Sequence, residues 1–316
     1  MKRREFLKAT TAATLAGAVG IPSEPASRSK LKIDAYSRHL QWLRTADEVA
    51  KAAKEMGYDG VDVTVRPAPG HVDPARVAED LPPFVKTIRS YGLEVGMITC
   101  PITDADSPSA EAILRTASEL EIRHYWWGTF RYDQSKPIKP QLDALKPRVA
   151  KLAALNKRYG MTAMYHTYSG SQMVGAPIWD FLSVLQEFDP ASVGFHYDIG
   201  HMTIAGGNGT WLTNLRIAAP YIAGVSVKDE VLERTDSGQW RVRYVPLGDG
   251  MVQLPQLAAA LKQINFAGPI EIQAEYPNGG AENAQDHITL PREQVLGAMK
   301  KDQEVLRAAL AKVGVA

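Results

Sequence analysis

The interpretation of this chain starts from Val193-Gly194-Phe195-His196-Tyr197-Asp198-Ile199-Gly200-His201. This segment begins as a short apolar strand and ends by presenting Asp198 and, three residues later, His201. Two similar strand ends flank it, Met161-Thr162-Ala163-Met164-Tyr165-His166 and Ile270-Glu271-Ile272-Gln273-Ala274-Glu275. Barrels of parallel strands keep their catalytic residues at the carboxyl ends of the strands. These three ends, which carry His, Asp and Gln/Glu, therefore predict one divalent-metal site.

Apolar, strand-like runs alternate with amphipathic, helix-like segments from Leu31 onward. Most runs begin about 30 residues apart, the length of one strand–helix unit with its return. Eight units in series without a long polar linker predict an α/β fold, a single (β/α)8 TIM barrel of parallel strands. A doubly wound sheet is the alternative, but residues 36–39 contain no glycine-rich phosphate turn. The predicted strands are 31–36, 60–65, 94–99, 124–128, 162–166, 193–198, 222–228 and 269–276.

The first thirty residues differ from the rest of the chain. The pair Arg3-Arg4, followed by Phe6-Leu7-Lys8 and an apolar stretch rich in Ala, Thr and Gly, resembles a twin-arginine export signal. A basic amino-terminal helix is the alternative. We predict a signal and linker at 1–30, a barrel at 31–316, and export to the periplasm. No other apolar run approaches the ~20 residues of a membrane span, so no membrane contact is expected after signal removal.

Composition argues against nucleic acid as the partner of this protein. The chain has 316 residues, of which 45% are hydrophobic and 22% charged, and its net charge is +1. Such a balance lacks the concentrated basic face that nucleic-acid binding requires. The single cysteine, Cys100, cannot form an intrachain disulfide.

Polar side chains stand at or just after many of the predicted strand ends. Because all strands of a parallel barrel run the same way, their carboxyl ends meet on one face. A charged stretch at 230–246, containing Asp236-Ser237-Gly238, is the longest interruption of the pattern and predicts a hairpin. The candidate site residues are Arg38, His39, Asp62, Arg66, His71, Trp127, His166, Asp198, His201, Ser226, Lys228, Asp229, Glu271, Gln273 and Glu275.

The order of these motifs resembles the xylose-isomerase-like TIM-barrel superfamily, the sugar phosphate isomerase/epimerase group, over nearly the whole chain after the signal. The matching segments are Gly57-Tyr58-Asp59-Gly60-Val61-Asp62, Asp198-Ile199-Gly200-His201, Val227-Lys228-Asp229, Pro246-Leu247-Gly248-Asp249-Gly250 and Gly268-Pro269-Ile270. The resemblance implies one Mn²⁺, Mg²⁺, Co²⁺ or Zn²⁺ ion, usually bound by Glu, Asp, His and Glu. In that family the ion polarises a sugar carbonyl while acid/base groups move a proton on carbon.

Carried over residue by residue, the resemblance is partial. Asp198 matches the metal-binding Asp, and His201 matches the neighbouring substrate-contacting His. The other ligand positions carry His166 for Glu, Ser226 for His, and Gln273 for Glu, or Glu275 if the register differs by two. Fewer carboxylates weaken the attraction for a dication, and the two-Glu proton shuttle of the epimerases is not retained in that form.

A second resemblance is to exported barrels that act on 3-keto-glycosides. It rests on Ser37-Arg38-His39-Leu40-Gln41-Trp42-Leu43 and on Glu275-Tyr276 with Gly279-Gly280-Ala281-Glu282. In that chemistry a ketone acidifies the neighbouring C2–H, and elimination expels the substituent on C1. The reaction needs a cation on the keto oxygen and a base poised near neutrality, which histidine provides.

These features together predict a metal-dependent sugar isomerase or epimerase that enolises a sugar or keto-sugar. A 3-keto-glycoside lyase and a non-catalytic periplasmic sugar-binding barrel are the alternatives; a homodimer is compatible with the family resemblance. We expect Trp127, rather than its neighbour Trp126, to face the barrel mouth and pack on a sugar. The predicted roles are metal binding by His166, Asp198 and Gln273, catalysis by His201, Lys228 and Glu275, and substrate binding by His39, Arg66, His71 and Trp127.

Overall fold

Eight parallel strands close into a barrel in the computed structural model, which describes residues 30–316. They are joined in the order β1-β10-β7-β6-β5-β4-β3-β2, so the predicted single TIM barrel is confirmed. The remaining two strands, β8 and β9, form an antiparallel hairpin, as the 230–246 stretch predicts. The strands are Ile33–Tyr36 (β1), Gly60–Thr64 (β2), Met97–Thr99 (β3), His124–Trp127 (β4), Thr162–His166 (β5), Val193–Asp198 (β6), Ile222–Val227 (β7), Asp229–Arg234 (β8), Trp240–Val245 (β9) and Ile270–Ile272 (β10).

Nine α-helices surround the strands within residues 30–316. None of these helices is long and apolar enough to cross a membrane. The predicted export signal falls almost entirely on residues 1–29, which lie outside the described residues, so it stays a prediction. The helices are Ala46–Met56 (α1), Val77–Ser90 (α2), Ala110–Glu119 (α3), Ile138–Tyr159 (α4), Trp179–Leu185 (α5), Ile199–Gly206 (α6), Trp211–Ile217 (α7), Leu254–Gln263 (α8) and Arg292–Lys312 (α9).

Local sequence signals set the ends of the first helix. The Thr45 side chain accepts a hydrogen bond from the backbone of Glu48, and the Glu48 side chain caps Thr45 in return. This capping box satisfies two backbone N–H groups that the first turn leaves unpaired. At the other end Gly57 has φ of 82°, a left-handed conformation that glycine adopts without steric cost. Helix α1 therefore begins and ends as its sequence predicts.

The strands of the barrel alternate between an outer apolar face and an inner polar face. On β6, Phe195 packs near Phe181 of α5, and the Tyr197 hydroxyl donates to a backbone carbonyl of α7. The intervening residues, His196 and Asp198, are fully buried inside the barrel. Because side chains on a strand alternate in direction, the apolar outer face packs on the helices while the inner face is free to carry polar groups.

The β8–β9 hairpin is tied to the barrel mouth through Asp229. Its carboxylate accepts hydrogen bonds from the backbone N–H groups of Glu230, Gly248, Gly250 and Val252, at 2.9–3.0 Å. Four charge-assisted bonds to a buried carboxylate hold the hairpin and the 246–252 loop in one arrangement. Asp229, expected at a substrate-contacting position, is thus used to build the wall of the site.

Candidate metal and acid–base site

Asp198 ends β6 and is also the N-cap of α6. Its Oδ1 atom accepts a hydrogen bond from the backbone N–H of His201 at 2.8 Å. Its Oδ2 atom is buried and, among residues 30–316, has no hydrogen-bond donor aligned on it. The helix-capping and site-forming roles therefore belong to different oxygens of the same carboxylate, and Oδ2 is the oxygen left for a ligand.

Two histidines lie beside the free carboxylate oxygen. His166, at the end of β5, places Nε2 3.4 Å from Asp198 Oδ2 and Nδ1 3.1 Å from Nδ1 of His196. His201, in the first turn of α6, pairs Nδ1 with Ser169 Oγ at 3.2 Å. Burial lowers the pKa of His166 and lowers that of His201 to about 3. Both imidazoles are therefore neutral near pH 7, the form in which histidine binds metals.

These three side chains satisfy the donor requirements of a divalent ion. One ligand atom from each of His166, Asp198 and His201 lies within 4.8 Å of the others, and all three residues are buried. Two imidazole nitrogens and one carboxylate oxygen form a donor set that suits zinc and its neighbours among the transition metals. Asp198 Oδ2 accepts no aligned hydrogen bond among the described residues and could bind such an ion, so the residues present fit a metal.

Gln273, predicted as the third ligand, also faces this position. Its Oε1 accepts a hydrogen bond from Lys228 Nζ at 3.3 Å, while its Nε2 donates to Glu271 Oε1 at 2.7 Å. The structure thus brings Gln273 together with the three-residue group and adds His201, expected as a catalytic residue, to the possible ligands. Glu271 lies deeper in the barrel, where burial and the neighbouring Asp62 raise its pKa.

The ammonium of Lys228 lies in the middle of the site. Its Nζ donates to His201 Nε2 at 2.9 Å and lies 3.1 Å from Asp198 Oδ2 and 3.0 Å from Glu275 Oε2. The lysine side chain is 2% exposed. Burial alone would lower the pKa of Lys228, but Asp198 and Glu275 outweigh it and raise the pKa. Lys228 is therefore a fixed positive charge at the same side chains that would bind a metal.

Glu275 is the most accessible carboxylate of the group, because its side chain is 24% exposed. Burial would raise its pKa, but Lys228 reverses the effect and lowers it. Glu275 is accordingly ionised near pH 7 and able to accept a proton. Its predicted place among the acid/base residues agrees with this geometry.

Two of the predicted substrate-binding residues lie at the barrel mouth. His39 pairs Nδ1 with the backbone carbonyl of Ala281 at 3.2 Å, and its Nε2 has no partner among the described residues. Arg66 stacks its guanidinium over the ring of Trp126, 5.1 Å from the centroid. His39 is fully buried, and burial lowers its pKa to about 4. A neutral imidazole and a planar cation are both able to bind sugar hydroxyls.

The other two assignments require correction. His71 has both ring nitrogens within hydrogen-bonding distance of protein atoms, Thr64 Oγ1 at 2.9 Å and the Leu43 carbonyl at 3.0 Å, so it fastens a loop. Trp127 is fully buried on the outer face of β4, where its Nε1 donates to the Thr103 carbonyl. Trp126 instead turns inward, with its ring 5.9 Å from that of His166. The aromatic residue beside the site is therefore Trp126.

Three further residues border the site but were not singled out from the sequence. His196 contacts His166 through the Nδ1 atoms, and the Tyr168 ring lies 4.8 Å from the rings of both His166 and His201. Glu230 is fully buried in the hairpin. Strand alternation would have identified His196, which is two positions before Asp198. Tyr168 follows the end of β5 in a loop whose conformation carries no periodic signal, and Glu230 lies at the start of the hairpin strand β8.

Comparisons with known proteins agree with this architecture. The xylose isomerase-like TIM barrel family model matches residues 50–303. Similar solved structures include D-psicose 3-epimerase with D-tagatose from Clostridium cellulolyticum H10 (TM-score 0.65, 13% identity, 89% of this chain and 99% of that chain). Another is 3-keto-D-glucoside 4-epimerase from E. coli (TM-score 0.62, 15% identity, 87% and 100%). A third is the IOLI protein with a zinc atom (TM-score 0.62, 14% identity, 89% and 99%).

No curated protein sequence matches the chain significantly. At 13–15% identity the structural likeness establishes the fold alone. The family model, by contrast, covers most of the sequence, and its TIM-barrel description agrees with the closed barrel. This chain belongs to the xylose isomerase-like TIM barrel family.

Proposed function

We propose that this protein is a metal-dependent isomerase or epimerase that enolises a sugar or keto-sugar. The observation that supports it is the convergence of His166, Asp198 and His201 beside Lys228 and Glu275. This arrangement combines a place for a cation with a carboxylate base, the two elements that enolisation requires. Sugar epimerases among the structural neighbours support the same class of chemistry.

A divalent ion would be held by His166, Asp198 and His201, with Gln273 as a further oxygen donor. When bound, the ion supplies the positive charge that stabilises a developing enolate oxygen. The protein's own groups then handle the proton. Glu275 accepts the proton from the carbon beside the carbonyl. In isomerisation it returns this proton to the neighbouring carbon on the same face, while a substrate hydroxyl proton moves to the former carbonyl oxygen. In epimerisation a water molecule protonates the opposite face of the same carbon, and Glu275 releases its proton to solvent.

Substrate orientation is assigned to the polar and aromatic groups around the mouth. Arg66 and Trp126 form a stacked pair whose exposed parts suit a sugar ring, because an aromatic face packs on C–H groups while the guanidinium binds hydroxyls. Lys228 holds Glu275 at 3.0 Å and so keeps the base ionised and fixed in direction. The proposed partner is a small-molecule sugar or keto-glycoside.

One feature favours a 3-keto-glycoside lyase as the second candidate. A cavity of about 460 Å³ adjoins His201 through Ser169 and is lined by Thr129, Arg131, Tyr168, Ser169, Gln172 and Met173. A ligand pocket of this size falls in the range of drug-sized molecules. It offers room for the substituent that elimination at C1 would release, in addition to the sugar ring.

We further propose that the protein acts in the periplasm, on the basis of its Arg3-Arg4 pattern. Folded export suits an enzyme that holds its cofactor through buried side chains and has a single cysteine, Cys100. Fractionation of cells expressing the full chain tests this proposal. Recovery of the processed barrel from the cytoplasm alone would contradict it.

Solvent exchange measured by NMR tests the proposed reaction directly. D-fructose, D-psicose and a 3-keto-glucoside are incubated in D₂O with the Mn²⁺-loaded protein, the chelated protein and Asp198→Asn. We expect deuterium at the carbon beside the carbonyl only with the loaded parent. Asp198→Asn keeps an oxygen for the α6 cap, and Asp73→Asn, a capping aspartate whose side chain accepts from the backbone of Ala75, serves as the matched control. Exchange that is equal in all samples, or absent in all, would overturn the proposal.

A further inference from the structure

Glu230 is a buried carboxyl group without a partner. It is fully buried, and neither of its oxygens has a hydrogen-bond partner in the part of the chain that the structure describes. The preceding residue, Asp229, is equally buried but accepts four backbone hydrogen bonds. Burying an unpaired polar group lowers the stability of a protein, and natural proteins contain few such groups. Asp229 is thus held in place by the fold, whereas no hydrogen bond among the described residues explains why the carboxyl group of Glu230 is buried.

Glu230 and Lys228 meet over the bare Cα of Gly200. A Cβ atom at residue 200 would lie 2.8 Å from Lys228 Cγ and 3.0 Å from Glu230 Oε1. Across the hairpin Glu230 pairs with Tyr244, whose ring centroid is 5.3 Å from Lys228 Nζ. The stem of the lysine and the carboxyl group of the glutamate thus border the same space at Gly200.

The observed position of Lys228 conflicts with metal binding. Its ammonium lies 2.9 Å from His201 Nε2 and 3.1 Å from Asp198 Oδ2, which are two of the three donors offered to a metal. A dication at those atoms would be repelled by a buried positive charge, and it would take away the acceptors that now satisfy the ammonium. Metal binding therefore leaves the ammonium of Lys228 with Glu275 as its remaining close partner, and its other N–H groups need a new acceptor.

We propose that Glu230 is a positioning residue that receives the ammonium of Lys228 when a divalent ion takes Asp198 and His201. This inference rests on the metal site of the proposed function. Glu275 remains within the reach of Lys228 in either state, whereas Gln273 Oε1 would turn to the ion, and Gly200 leaves the space through which the lysine stem turns. In the arrangement seen here, burial and then Asp198 raise the pKa of Glu230 to about 8, so its carboxyl group is largely protonated and neutral near pH 7.

A double-mutant cycle with Mn²⁺ alone tests the exchange. Affinity is measured by competition with a fluorescent chelator for the parent, Lys228→Met, Glu230→Gln and the double variant. We expect Lys228→Met to bind Mn²⁺ more tightly and Glu230→Gln to bind it about tenfold more weakly, as coupled neighbours commonly do. In the Lys228→Met background, Glu230→Gln should have no effect, because no ammonium needs a new acceptor.

Controls separate the possible failures. Glu233→Gln changes a glutamate of the same hairpin that pairs with Arg241 and Arg243, and it should leave Mn²⁺ affinity unchanged. Gly200→Ala, which fills the space between the two side chains, should weaken Mn²⁺ binding as Glu230→Gln does; it replaces the cycle if Lys228→Met does not fold.

Equal effects of Glu230→Gln in both backgrounds, or none in the parent, would overturn the exchange while leaving the metal site intact. No Mn²⁺ binding by the parent or by Lys228→Met would overturn the metal site and the exchange together.

Discussion

Replacing Lys228 by Met should show how much its ammonium contributes to the unfolding free energy in the absence of metal. The lysine side chain is 2% exposed, its partner Asp198 is fully buried, and Glu275 is 24% exposed. Methionine preserves most of the apolar stem, so the change removes mainly the charge. Asp198 would keep its α6 cap but would lose the positive group nearest to Oδ2.

Removing one partner of a buried ion pair typically destabilises a protein by about 3–5 kcal/mol, because the other charge stays buried without compensation. Most of this effect comes from Asp198, since Glu275 reaches solvent. We expect Lys228→Met to lose about 3–5 kcal/mol of unfolding free energy at pH 7 in chelated buffer. Urea titrations followed by circular dichroism measure this difference.

The difference in unfolding free energy between Lys228→Met and the parent should depend on pH in a defined direction. In the parent, Lys228 and the two histidines hold the pKa of Asp198 well below its ordinary 3.8, although burial opposes them. The carboxylate's contribution to stability is therefore complete above that ordinary value and is lost as pH falls through the depressed one. Without the ammonium, burial raises the pKa of Asp198, so the gap between the variant and the parent should narrow on acidification.

Lys139→Met is the matched control for this experiment. Lys139 pairs with Asp143 on the surface of α4, where its side chain is 82% exposed. An exposed i,i+4 pair contributes only about 0.3–0.5 kcal/mol, so this variant should stay close to the parent. A Lys228→Met protein within about 1 kcal/mol of the parent at pH 7 would refute the reasoning, because buried pairs of this kind are expected to exceed that margin.

Three further predictions follow from individual residues. Trp127→Ala should lower the unfolding free energy measured by urea titration by about 3–5 kcal/mol, because it leaves a cavity at a buried position. Trp126→Ala should change stability less and should weaken sugar binding in calorimetry; the reverse pattern would contradict the corrected assignment. Burial lowers the pKa of His71 from an ordinary 6.5 to about 4, so the stability gained from its neutral imidazole is complete above pH 6.5 and is lost as the pH falls toward 4. The unfolding free energy of His71→Asn should therefore fall less between pH 7 and 5 than that of the parent, and an equal fall in both proteins would count against this. Arg3-Arg4→Lys-Lys should abolish export in cell fractionation, and undiminished periplasmic protein would contradict the signal assignment.

Much of the barrel is predictable because its strands end in polar residues at regular intervals. Strands β5 and β6 have the predicted limits, since an apolar run stops at His166 and at Asp198 in turn. Strand β10 is shorter than predicted and ends at Ile272. The Gln273 backbone N–H still bonds to Val227, but Glu275 then folds back onto Gln273. Side-chain patterns do not report where a backbone stops pairing.

The limits of the sequence are clearest at Trp126, Trp127 and Glu230. Alternation establishes that adjacent tryptophans point in opposite directions, but it does not say which of them points inward. That choice follows from the parallel register with β5, which sets Trp126 opposite Met164 and places Trp127 next to the apolar layer of α5. Glu230 stands two positions after Lys228, as alternation allows, but its position over Gly200 depends on how the hairpin folds back, a long-range arrangement that the sequence pattern does not give.

Metal content tests the central claim most directly. The full barrel is purified without added metal, reconstituted with Mn²⁺ or Zn²⁺, desalted and analysed by elemental mass spectrometry beside Asp198→Asn and Asp73→Asn. We expect about one equivalent per chain in the parent and in Asp73→Asn, and almost none in Asp198→Asn. No retained metal in any of the three, or equal retention in all three, would contradict a metal site built on Asp198.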